Sequence, residues 1–91
     1  MFKFFENFAE RQFRKTVHRI LVANVPDFLK LEGGMPHSTV ETAYRNAWLE
    51  FGKPSHGERS SIYKAECAKA GEYILHFYEL WIQMAAGEPK K

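Results

Sequence analysis

Glu72, His76 and Glu79 stand at i, i+4 and i+7 within the proline-free stretch from Ser60 to Ala86. On a helix they share one strip, where two carboxylates and an imidazole could hold a metal ion or exchange a proton. Helical carboxylate–histidine sites complete themselves with ligands from other helices, and no second Glu is followed four residues later by a His in the chain. The trio therefore reads as a solvated face, its pairings worth roughly 0.2–0.5 kcal/mol. Cys67 lies nine residues before His76, on nearly the opposite side of the same helix, so the two cannot form a nucleophile–base pair. Its neighbours at helical spacing, Tyr63, Ala70, Gly71 and Ile74, make it a core filler. One cysteine supports neither an intrachain disulfide nor a zinc site of the usual type. There is no GxxxxGK[ST] or GxGxxG phosphate loop. No catalytic, metal or cofactor set emerges, and a non-enzymatic protein without a cofactor is expected.

Two features point instead to binding. Glu66 falls on the apolar side of the same helix, between Ile62, Tyr73 and Phe77. A carboxylate there needs a partner: an arginine of this chain, the solvent at the domain edge, or a group from another protein. The second feature is a basic strip. The net charge is +2, yet through Lys30 the chain has six basic and three acidic residues, and beyond it seven basic and eight acidic. Arg11, Arg14, Lys15 and Arg19 carry this excess with no acidic residue among positions 11–19. Such a strip is solvated, or meets an acidic protein or nucleic acid, or lies on an anionic membrane.

The elements that must position these groups are helical. Phe2, Phe5, Phe8, Ala9, Phe13, Thr16, Val17 and Ile20 recur at spacings of three and four, predicting an amphipathic helix over 2–23 with the basic strip opposite. Asn24 and Pro26 end it. A short helical turn near 26–32 stops at Gly33-Gly34. Ser38-Thr39-Val40-Glu41 has the form of a capping box and opens a helix over 39–51, whose apolar face is Val40, Ala43, Tyr44, Ala47, Trp48 and Phe51, with Leu49 on the polar side. Gly52 and Pro54 close it. The third main helix covers 60–86. Its polar strip is narrow (Ser61, Ala65, Lys69, Glu72, His76, Glu79, Gln83), and apolar residues from Ile62 to Ala85 fill more than half its circumference. A surface helix needs an apolar stripe of only about 100°, so this one must touch partners on two sides. Ala65, Ala68, Ala70 and Gly71 are small enough to admit a crossing helix, while Tyr73, Phe77, Tyr78 and Trp81 hold neighbours further off. The expected fold is all-α: a compact bundle of three main helices and one short one, a single domain over 1–86 with a flexible C-terminal tail at 87–91.

Leu29 and Gly34-Met35-Pro36-His37-Ser38-Thr39-Val40 together resemble the turn and second-helix start of a helix-turn-helix, where a glycine lies six residues before a buried valine. In that family the second helix enters the major groove. The resemblance implies His37, Ser38, Thr39, Thr42, Arg45 and Asn46 as base or backbone contacts. The stretch departs from the pattern at Lys30, where a small residue belongs, at Gly33, an apolar position, and at Glu41, which would face phosphates.

The first expectation is therefore a small regulator, inhibitor or adaptor of bacterial or phage type that binds another protein, or a second copy of itself. Its candidate contacts are Arg11, Arg14, Lys15, Arg19, Glu66, Tyr78 and Trp81, since interfaces favour aromatic and arginine residues. The alternative is a DNA-binding regulator using residues 29–46, and the third reading a peripheral membrane protein using the first helix. The longest aliphatic run, Ile20 to Ala23, is far short of a membrane span. Glu6, Asn7 and Glu10 follow Met1-Phe2-Lys3 too closely for a signal-peptide core. Together with the lone cysteine these features suit a cytoplasmic setting.

Overall fold

A computed structural model describes residues 8–52 and 60–87 and contains helices only: α1 (Phe8–Asn24), α2 (Phe28–Gly33), α3 (His37–Phe51) and α4 (Ser61–Gly87). The all-α bundle of three main helices and one short one is the observed fold. Residues 2–7 of the expected first helix, most of the 52–59 loop and residues 88–91 of the tail lie outside the described residues.

Each boundary has a local cause. At the end of α1 the Asn24 side-chain amide donates to the Ile20 carbonyl at 2.8 Å, and Pro26 cannot continue the helix. Asp27 then takes a left-handed conformation, φ 60°, which aspartate tolerates better than most residues. Its carbonyl accepts from the Lys30 and Leu31 amides and starts α2. The α4 start is capped by Ser60, whose Oγ accepts from the Tyr63 amide at 3.0 Å.

The capping box expected at Ser38–Glu41 does not form. α3 starts two residues earlier, at His37, after an N-cap at Pro36 that makes no side-chain bond. Glu41 does not reach back because its carboxylate binds Arg14 of α1 at 3.0 Å; a charge-assisted tertiary bond outweighs the local one.

α4 is the central element and packs against both α1 and α3, which accounts for much of its wide apolar arc. Phe13 lies edge-on to Tyr63, and Leu21 with Val17 lies over Gly71, so α1 and α4 run in the same sense. A Cβ on Gly71 would already sit 3.4 Å from Leu21, and this close crossing is the one the small residues permit. Ala70 is buried beside it; Ala65 and Ala68 are exposed, Ala68 lining a cleft beside the crossing with Ile20, Leu21 and Gly71. At the end of α3, a side chain on Gly52 would collide with the Trp48 ring. The core comprises Phe13, Val17, Leu21, Phe28, Met35, Ala43, Tyr44, Ala47, Tyr63, Cys67, Ala70, Ile74 and Tyr78. Trp48 and Trp81 are only partly buried against it. Phe8, read as a core residue from its spacing, is 72% exposed. Among the described residues no helix is long and apolar enough to cross a membrane.

Candidate functional site

Buried tyrosines need an acceptor for their hydroxyls, and two of them share one. Tyr78 of α4 and Tyr44 of α3 both donate to Glu32 Oε2, at 2.7 and 3.1 Å. His18 of α1 places Nε2 3.1 Å from the other oxygen, Oε1. One carboxylate at the end of α2 thus joins all four helices. Burial, reinforced by the Glu32 charge and hydrogen bond, pushes both phenols well above the ordinary tyrosine range, so they stay protonated and donating. Arg14 sits above this group, its guanidinium carbon 5.3 Å from the Tyr44 ring centroid. Its bond to Glu41, with the charges of Arg14, His37 and Arg45, holds that carboxyl below the usual range against the opposing effect of burial. Beyond it, Arg45 donates from Nε to the buried Glu10 at 3.1 Å.

Outside this polar cluster the surface is concave. A cavity of about 290 Å³ is lined by Arg14, Lys15, His18, Glu32, Val40 and Tyr44. It shares Lys15 and His18 with a shallower groove of about 570 Å³ between α1 and α2, whose other lining residues are Arg19, Val22, Ala23 and Leu29. Val22 and Leu29 are 40% and 60% exposed, so the groove has an aliphatic floor open to solvent. Arg11, Lys15 and Arg19 are exposed at four-residue intervals along α1, a row of cations of which Lys15 and Arg19 form the groove's edge. Among the described residues no carboxylate lines the groove.

The expected binding residues divide accordingly. Arg11, Lys15 and Arg19 are exposed; Arg14 is half-buried and engaged by Glu41 and Tyr44, so it belongs to the fold as much as to the strip. Tyr78 is 0% exposed and is removed from the contact set: the apolar arc turns it inward and Glu32 holds its hydroxyl. Trp81 is half-buried. Glu66 is half-buried too, and its Oε1 is enclosed without a hydrogen-bond partner among the described residues; no arginine among them pairs with it. Of the residues implied by the helix-turn-helix resemblance, His37, Ser38, Thr42 and Arg45 are exposed and Thr39 and Asn46 half-buried. The helix before the turn, α2, has only six residues, Arg45 is bound to Glu10, and Glu41 stands on the same face, 3.9 Å from His37.

Cys67 is buried. Burial pushes its thiol up, against the pull of a Tyr63 hydrogen bond and with the Glu66 charge adding to the rise. No group of three or more His, Cys, Asp or Glu among the described residues is placed to hold a metal ion.

Two parts of this site escape sequence reasoning. Glu32 ends a short helix with no local mark of its role; the available signal was a pair of tyrosines on apolar arcs, each of which must find an acceptor. Val22 and Leu29 carry no local mark of a shared surface, because one belongs to the aliphatic run that ends the first helix and the other to the short helix after it. Comparison with protein families, with characterised proteins and with solved structures finds no match for this chain.

Proposed function

We propose that the protein acts without catalysis by binding another protein, as an inhibitor, adaptor or regulator, and that an acidic partner docks in the groove between α1 and α2. The observation that carries this reading is the groove's lining: Lys15, His18 and Arg19 beside Val22, Ala23 and Leu29, with no carboxylate among the described residues. Lys15 and Arg19 have no ion-pair partner among the described residues, while the chain's other well-placed cations, Arg14 and Arg45, are paired internally. The remaining chemistry of the region favours binding over reaction, since Glu32, Tyr44, Tyr78 and His18 bond to one another and hold the helices together. An open aliphatic floor also suits a protein side chain better than a phosphate backbone.

The test is a parallel capture from the native host, with the protein and its Lys15→Glu/Arg19→Glu variant as baits. Both substitutions are at exposed positions outside the core, so the variant should melt as the native protein does. A protein retained by the native bait and lost from the variant is the expected result. Identical captures by the two baits contradict the proposal. Loss of duplex DNA in place of a protein, with a steep salt dependence, would reassign the groove to nucleic acid.

A further inference from the structure

Resting on that reading, we infer that the partner presents an amphipathic helix, with an acidic edge facing Lys15 and Arg19 and aliphatic side chains on Val22, Ala23 and Leu29. Each mode of peptide recognition needs its own kind of surface. An extended peptide gains affinity by adding a strand to a sheet edge, and the described residues contain no strand. Polyproline segments dock in aromatic-lined grooves, whereas this groove is lined by Lys15, His18, Arg19, Val22, Ala23 and Leu29. A helix laid in a groove needs only an apolar floor to receive its i, i+3, i+4 anchors and a rim that matches its flanks. Both are present.

The rim also sets a register. Arg11, Lys15 and Arg19 repeat every four residues on α1, a rise of about 6 Å. A helix lying along α1 has the same rise, so carboxylates at its own i and i+4 positions come level with Lys15 and Arg19 together. Its aliphatic anchors, three or four residues apart on the adjoining stripe, then fall on the floor. His18 stands at the inner edge of the groove with its ring held by Glu32 at 3.1 Å, so this wall is set before the partner arrives. Preorganisation of that kind reduces the ordering that binding requires.

The experiment selects binders from a random library of linear peptides about four turns long if helical, displayed against the intact protein. The expected sequences carry Asp or Glu at i, i+4 spacing next to Leu, Ile or Met at i, i+3 or i+4. A central proline should weaken such a peptide by about tenfold or more, since it breaks the helix. The Lys15→Glu/Arg19→Glu and Leu29→Asp variants should each weaken it by a similar factor of about ten. Peptides that are sensitive to Lys15→Glu/Arg19→Glu but indifferent to proline would overturn the helical inference and leave the acidic-partner reading standing. Peptides indifferent to the charge reversal would overturn both, and a library yielding no binder would overturn the inference.

Discussion

Glu32 carries more of this fold than its position suggests. It accepts from two buried phenols and faces an imidazole, so replacing it leaves Tyr78 OH, in a fully buried residue, without its acceptor. Hydrogen bonds to a charged group contribute about 1.5–3 kcal/mol. Glu32→Ala should therefore lower the urea unfolding free energy by at least that much, about 2–4 kcal/mol with the stranded hydroxyls included. A loss below about 0.5 kcal/mol, the range of ordinary surface substitutions, would show that the cluster does not hold the helices. The same geometry fixes a pH dependence. Tyr44 and Tyr78 have folded-state values raised above the unfolded value of about 10. Their contribution is complete below that pH and falls as pH rises past it, because the unfolded chain releases protons that the folded chain retains. The slope is about 1.4 kcal/mol per pH unit for each phenol. Stability measured from about pH 9 to 11 should drop ever more steeply toward that limiting slope, and more gently in Tyr78→Phe; tyrosinate absorbance of the native protein equal to that of the unfolded chain would contradict it. Cys67, buried and with its thiol pushed up, should react with a thiol reagent only as the protein unfolds. At this scale the sequence was half legible. Cys67 could be placed from its helical neighbours alone, whereas Glu32 could not, because its partners are 14, 12 and 46 residues away and only the folded chain brings them together.

At the scale of elements, the two ends of α3 show what local sequence does and does not determine. Its start departs from the local signal because Ser38 and Glu41 form a capping box only while Glu41 is unclaimed, and Arg14 claims it. Its end was legible: Gly52 donates to the Trp48 carbonyl at 2.9 Å, although the glycine is needed for space beneath the Trp48 ring more than for its backbone freedom. Gly52→Ala should accordingly cost about 1–3 kcal/mol in thermal or urea unfolding, the usual penalty for overpacking. Gly33→Ala, where an added Cβ meets nothing within 4 Å, should be neutral or mildly stabilising. The basic strip of α1 also separates into parts. Spacing places Arg11, Arg14, Lys15 and Arg19 on one polar side, but α3 draws Arg14 inward through Glu41 and Tyr44. Charge reversal at Lys15 and Arg19 should leave the melting temperature unchanged, while Arg14→Glu should lower it by placing a carboxylate against Glu41.

For the whole molecule, the apolar arc of α4 needed two neighbours, and α1 and α3 are those neighbours. The bundle could be read from periodicity because every main helix carries a 3.6-residue pattern with its own stop signals. The groove could not, since it is made by the angle between α1 and a six-residue α2 and neither helix shows it alone. What the groove offers is a cationic edge and an aliphatic floor, and the proposed activity follows from that pairing: charges speed the encounter, apolar anchors slow the release. The most direct measurement is the affinity of one captured partner for the native protein and for Lys15→Glu/Arg19→Glu, side by side, with melting curves of both. Equal melting temperatures are expected, with an affinity loss of about 1–3 kcal/mol, most of it in the association rate and diminishing as salt is raised. Equal affinities would contradict it and leave the basic strip as a solvated face.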